Sequence, residues 1–247
     1  MHCCCSFSYA GKRSLNISLM KVHAAIIYLL SILVILCGIA LAPDAHPTKW
    51  FDEKQTVTAY SALLLYTCAF VSGLNYLTCR TLSHVDPIRR SLKSLWALAI
   101  PGFGFLMADE FFVMHEGIGR FLAYRVLRLT VSSFADHFDG FVILAYGLVG
   151  LAALLYYFRE LKQVPCFFTY LAVGAIFGVT SVALDLRIDS AWSIYVEDGA
   201  KVLANASFLL ACISSTTRDY QELRLHIDNA QGKQRYQKDE RGRVVNW

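Results

Sequence analysis

Six times along this chain an apolar run of about 20 residues occurs with few charges in it. The runs cover 22–42, 57–79, 94–114, 138–158, 166–186 and 195–215. A helix rises 1.5 Å per residue, so each run is long enough for a hydrocarbon core about 30 Å thick. A water-facing helix of that length would carry a polar stripe, and most of these runs carry none. Composition agrees: 56% of the residues are hydrophobic and 17% charged, against about 25% charged in ordinary soluble domains. Backbone amides exposed to lipid must be paired within their own segment, and the runs are too long for barrel strands. The expected fold is therefore all-α, a polytopic membrane bundle of about six helices. No internal repeat is evident. The lipid bilayer is the implied partner, and nothing in the charge pattern points to nucleic acid.

Lys and Arg set the expected orientation. The N-terminal segment, the 80–93 connection, the Arg159/Lys162 connection and the tail carry 3, 4, 2 and 7 of them, and the opposite connections carry 2, 3 and 1. Sixteen against six places both termini in the cytoplasm. Residues 1–21 read as a cytoplasmic segment, 22–215 as the bundle and 216–247 as a basic, solvated tail. Met20-Lys21, just ahead of the first span, has the look of a natural start, which would make the leading residues an extension. Cys37, Cys68, Cys79, Cys166 and Cys212 are scattered through the spans without CxxC spacing and read as small packing residues.

The acids are lopsided. Twelve of 19 Asp and Glu fall on or near the outward side in this topology. Acids contribute little to membrane insertion, so topology does not account for them. The third span ends in Asp109-Glu110-Phe-Phe-Val-Met-His115-Glu116. On a continuous helix Asp109 and Glu116 share a face about 10 Å apart along the axis. An intramembrane carboxylate is costly enough to imply a functional role or a buried ion pair. Gly117 and Gly119 would let the chain turn sharply just beyond. The fourth span opens with Asp136-His137-Phe-Asp139, where Asp136 and Asp139 share a face. The fifth carries Gly174 and Gly178 in GxxxG spacing, a close-packing face, and ends at Asp185 beside Arg187. The sixth begins Glu197-Asp198-Gly199-Ala-Lys201, an i, i+4 Glu–Lys pair that Asn205 extends one turn deeper.

Those residues suit two kinds of chemistry. Carboxylates with imidazoles are ligands for a divalent metal such as zinc, iron or manganese. Asp109, His115, Glu116, Asp136, His137 and Glu197 are the candidate ligands, and His46 lies within reach in the first outer connection. The spacing matches neither HExxH nor Glu-x-x-His. A metal-dependent membrane enzyme would use Asp109, Glu116, Glu197 and Lys201 as acid–base groups. The alternatives are a small ion- or proton-coupled transporter, with Asp109, Glu197 and Lys201 as a protonatable relay, or a structural subunit held by buried ion pairs. The polar residues are expected at one end of the bundle, with nothing comparable in the inner half.

With Asp109-Glu110…His115-Glu116 followed by Glu197-Asp198-Gly199, the chain resembles a group of uncharacterised multi-pass bacterial membrane proteins. They share an acidic-pair/His-Glu helix and an acidic pair opening the last span. The resemblance covers roughly the third to sixth spans. It implies a plasma (inner) membrane location and a polar site, and it supplies no activity.

Overall fold

A computed structural model describes residues 6–41, 51, 55–84, 86–128, 138–185 and 191–235. Among them the chain is helical, with no strand. Helix α1 is Ser6–Leu41, α2 Thr56–Leu82, α3 Pro87–Phe112 and α4 Met114–Arg120, which runs into a π-helical turn, Phe121–Val126. Then follow α5, Phe138–Tyr156, a single turn α6, Phe158–Leu161, α7, Phe167–Asp185, and α8, Ala191–Arg235.

Five helices are long and apolar enough to cross a membrane, over Ser18–Leu41, Thr56–Leu82, Pro87–Phe112, Phe167–Leu184 and Ser193–Arg218. The expected fourth span falls on α5, whose apolar stretch, Gly140–Tyr156, is shorter. Leu29, Leu33 and Leu36 of α1, Leu63, Phe70 and Leu77 of α2, and Ile176 and Val179 of α7 are exposed. Side chains of this kind, ranked along helix after helix, need an apolar solvent. The chain is an all-helical membrane protein.

Helix α8 is the axis. It packs against α7 and α2 and more lightly against α1, while α2 packs along α3 and α5 lies against α4. Of its most apolar stretch 72% is buried, against 11% for α1 and 17% each for α3 and α7. The least apolar of these five helices thus lies at the centre, and the most apolar is the least buried. Polar groups cost least where other helices can pair them. Gly174 allows the closest approach: a Cβ there would stand 2.7 Å from the Phe208 ring of α8. One turn on, a Cβ on Gly178 would meet Ala204 at an ordinary 4.0 Å. Both glycines of the GxxxG pair face α8, and Gly174 sets its distance.

The ends depart from the sequence reading. Helix α8 does not stop near Ser215 but continues to Arg235, and α1 is already helical from Ser6. At the Lys/Arg-rich end, Asp86 caps α3 by accepting from the Ile88 amide at 2.9 Å, ahead of Pro87 in the first turn. Arg89 is fully buried there, 3.7 Å from Asp86. The Ser91 hydroxyl donates to Glu160 at 3.2 Å and ties α3 to α6. Of the five cysteines read as packing residues, Cys68, Cys79 and Cys212 are buried and unbridged, whereas Cys37 is exposed and Cys166 half-buried.

Candidate functional site

The helix through Asp109 breaks just beyond it. Helix α3 runs through Pro101 to Phe112 and ends at Val113, whose φ of 54° and ψ of 45° are left-handed. The Val113 amide donates back to the Asp109 carbonyl at 2.7 Å, closing the turn, and α4 starts in a new direction at Met114. The expectation that Asp109 and Glu116 stack on one face of a continuous helix is therefore wrong, because the seven-residue spacing runs across a break. The glycines do not make the turn: Gly117 and Gly119 lie inside α4, and the chain bends four residues before the first of them.

The break creates a different pairing. Asp109 is buried, and its carboxylate takes both polar groups of His115: Oδ1 accepts from the backbone amide at 2.6 Å, and Oδ2 lies 2.9 Å from ring Nδ1. Asp109 thereby satisfies an amide left open in the first turn of α4 and fixes the imidazole. With Nδ1 toward the carboxylate, Nε2 points to the other side of the ring. Glu116 goes elsewhere. It forms a 2.8 Å ion pair with Arg120 one turn on, on the exposed side of α4.

Lys201 is held by carboxylates of its own helix, α8. Its Nζ lies 3.1 Å from Asp198 Oδ1 and 3.9 Å from Glu197 Oε1, so the i, i+3 partner is closer than the expected i, i+4 one. Glu110 of α3 lies within electrostatic reach of it, beyond ion-pair distance. Glu110 is in turn within electrostatic reach of Asp198 and His115, with the Ser61 hydroxyl of α2 beside it. The Ser61 hydroxyl oxygen accepts from Asn205 Nδ2 at 2.8 Å, so Asn205, Ser61 and Glu110 form a short file beside Lys201. Glu110 Oε1 is buried without a hydrogen-bond partner among the described residues, as is the hydroxyl of Tyr146 on α5. Tyr146 faces Asp109. Four carboxylates, Asp109, Glu110, Glu197 and Asp198, thus stand near one lysine and one histidine.

Polar groups also continue toward the other end of α8, contrary to the one-sided distribution expected. Ser207 and Tyr28 of α1 bond through their hydroxyls at 2.8 Å. Asn75 of α2 donates to the Cys212 carbonyl at 3.1 Å, and Ser72 lies beside the Cys212 sulfur at 4.0 Å. The sequence reading missed these because lone Ser, Asn and Tyr residues in apolar runs carry no charge signal. Only the packing of α1 and α2 onto α8 aligns them.

Of the candidate ligands, the fold brings together Asp109 and His115 on one side and Glu197 with Lys201 on the other, and it separates Glu116 from Asp109. Asp136, His137 and His46 lie outside the described residues, as do the side chains of Asp139 and Asp185. Among the described residues no group of three or more His, Cys, Asp or Glu is arranged to hold a metal ion. The set Asp109, His115, Glu116 and Glu197 does not converge. Glu110, Asp198 and Ser61 complete the cluster instead. Glu110 was legible as half of an acidic pair, and what hid its importance was the greater regularity of the Asp109/Glu116 spacing.

Fold and cluster together define the class: a helical membrane protein with an acid–base cluster set between its central helix and two neighbours. The chain belongs to the family described as a domain of unknown function, DUF8692, whose model matches residues 22–216, from the first spanning helix through most of the apolar part of α8. No curated protein and no solved structure matches it.

Proposed function

We propose that the protein is a small proton-coupled cation transporter of the plasma membrane. It crosses the membrane six times with both termini in the cytoplasm, and the Glu110–Lys201 cluster faces outward. The Lys/Arg bias supports this orientation, and the resemblance to multi-pass bacterial membrane proteins supports the location. The observation that carries the reading is Glu110, a carboxylate inside an apolar helix within electrostatic reach of Lys201, with one buried oxygen that has no partner among the described residues. Ion pairs built only for stability tend to satisfy both oxygens, whereas a carboxylate that exchanges a proton for a cation needs an open coordination position. The four carboxylates outnumber Lys201 and His115, which favours a cation over an anion. The polar file through Asn205, Ser207 and Asn75 supplies a line of hydroxyls and amides along α8 for passage inward.

The test is exchange in proteoliposomes. With an acid interior and a pH-sensitive dye, addition of sodium, potassium or lithium outside should dissipate the gradient, and Glu110→Gln should abolish the response. No cation-dependent proton movement by the folded wild type would sink the transporter and leave a bundle held by ion pairs. Stoichiometric zinc, iron or manganese in the purified protein would instead favour a metal-dependent enzyme, with Asp136 and His137 completing a set begun by Asp109 and His115.

A further inference from the structure

At the Lys/Arg-rich end of the bundle, far from the acidic cluster, a cleft of about 410 Å³ opens between α1, α2 and α8. Its polarity changes along the axis of α8. Its apolar wall is Leu19, Val71 and Ile213, and its polar wall is Thr216, Thr217, Tyr220 and Arg224 of α8. The apolar run of α8 gives way to Ser214, Ser215, Thr216, Thr217 and Arg218, so Tyr220 and Arg224 stand beyond it and Ile213 at its end. The cleft therefore straddles the boundary between hydrocarbon and headgroups. Among the described residues its lining carries one cation, Arg224, and no acid.

We propose that this cleft binds one anionic phospholipid, its acyl chain on Leu19, Val71 and Ile213 and its phosphate at Arg224 and Tyr220. The volume lies in the range of sites that hold small organic ligands and suits a headgroup with the first part of a chain. An aqueous solute would leave the apolar wall unused, and a hydrocarbon would leave Arg224 unused. A phospholipid uses both. The guanidinium supplies paired donors that match a phosphate, and Tyr220 supplies a hydroxyl donor at headgroup depth. The hydroxyls of Thr216 and Thr217 already donate to the Cys212 and Ile213 carbonyls, so toward a ligand they act as acceptors. They suit a headgroup that carries hydroxyls beside its phosphate, such as phosphatidylglycerol. Anionic lipid is also what a basic membrane-proximal end attracts.

Native mass spectrometry of the full-length protein, purified in detergent and titrated with phosphatidylglycerol or phosphatidylcholine of identical chains, tests this. The wild type should retain one phosphatidylglycerol and bind phosphatidylcholine about tenfold more weakly, a typical margin for one charge-assisted contact. Arg224→Gln should remove that preference and Arg224→Lys should keep part of it. Leu19→Trp, at the exposed lip, should weaken both lipids by filling the chain site without disturbing the core. Equal retention of the two lipids by the wild type, or an unchanged preference in Arg224→Gln, would overturn the proposal. Displacement of the lipid by glycerol phosphate at equal concentration would also overturn it, by making free phosphate the ligand. The cleft shares no residue with the Glu110–Lys201 cluster, so either proposal can fail alone.

Discussion

Lys201 sits eight residues into the spanning stretch of α8, about 12 Å along the helix from its start. Its charge is tolerable at that depth because Asp198, Glu197 and Glu110 surround it. Removing one partner of a fully buried ion pair costs about 3–5 kcal/mol. With 34% of the Lys201 side chain exposed, Lys201→Met should cost about 2 kcal/mol, and Lys201→Arg, which keeps the charge, much less. Thermal melts of the two variants in one detergent check this, and equal melting would mean that Lys201 merely extends to water. Val113 makes a second case. A β-branched residue in the left-handed region carries about 1–2 kcal/mol of strain, which glycine does not. Val113→Gly should therefore raise the melting temperature, or leave it unchanged where the added freedom of the unfolded chain offsets the relief. A marked loss of stability would show that the Val113 side chain, and not the turn, holds the junction of α3 and α4.

At the scale of elements, helix α8 was expected as the last span and is the centre of the bundle. Its apolar run was legible in the sequence, as was the Glu197–Lys201–Asn205 strip. Its position was not, because a modest hydropathy fits both a marginal peripheral span and a central helix whose polar groups are paired. The Asn205–Ser61 bond and the Gly174–Phe208 contact settle the matter, and both depend on partners far away in the chain. The two glycines of α7 should respond differently. Gly174→Ala forces the Phe208 ring to move, and overpacking of this kind costs about 1–3 kcal/mol. Gly178→Ala has room and gains helix propensity, so it should be neutral or stabilise by up to about 1 kcal/mol. Equal effects on melting would mean that α7 does not pack on α8 through Gly174. The break at Val113 is the clearest loss of legibility. Nothing in Phe-Phe-Val-Met interrupts a helix by propensity, and a glycine-based reading puts the turn too late. The break is held by the Asp109 carboxylate reaching the His115 amide and ring, a tertiary closure that local rules do not contain.

For the whole molecule, orientation is the property most open to direct test. In a cysteine-free background, single cysteines at Thr56 and Ser132 should label with impermeant reagents from outside intact cells, and one at Ser91 should not. Labelling of Ser91 alone would invert the bundle and turn the Glu110–Lys201 cluster inward. Equal labelling of Ser91 and Ser132 would mean that α3, the long helix between them, does not cross and that the span count is wrong. The sequence by itself determined that the chain is helical and apolar enough for a membrane, and roughly where its long apolar helices lie. These follow from run length, composition and charge counts, properties of neighbours along the chain. Which carboxylate matters was decided only by the tertiary structure. Asp109 turns to His115, Glu116 to Arg120, and Glu110 comes within electrostatic reach of Lys201, because the break and the helix packing place groups at depths and angles that spacing along a single helix cannot encode.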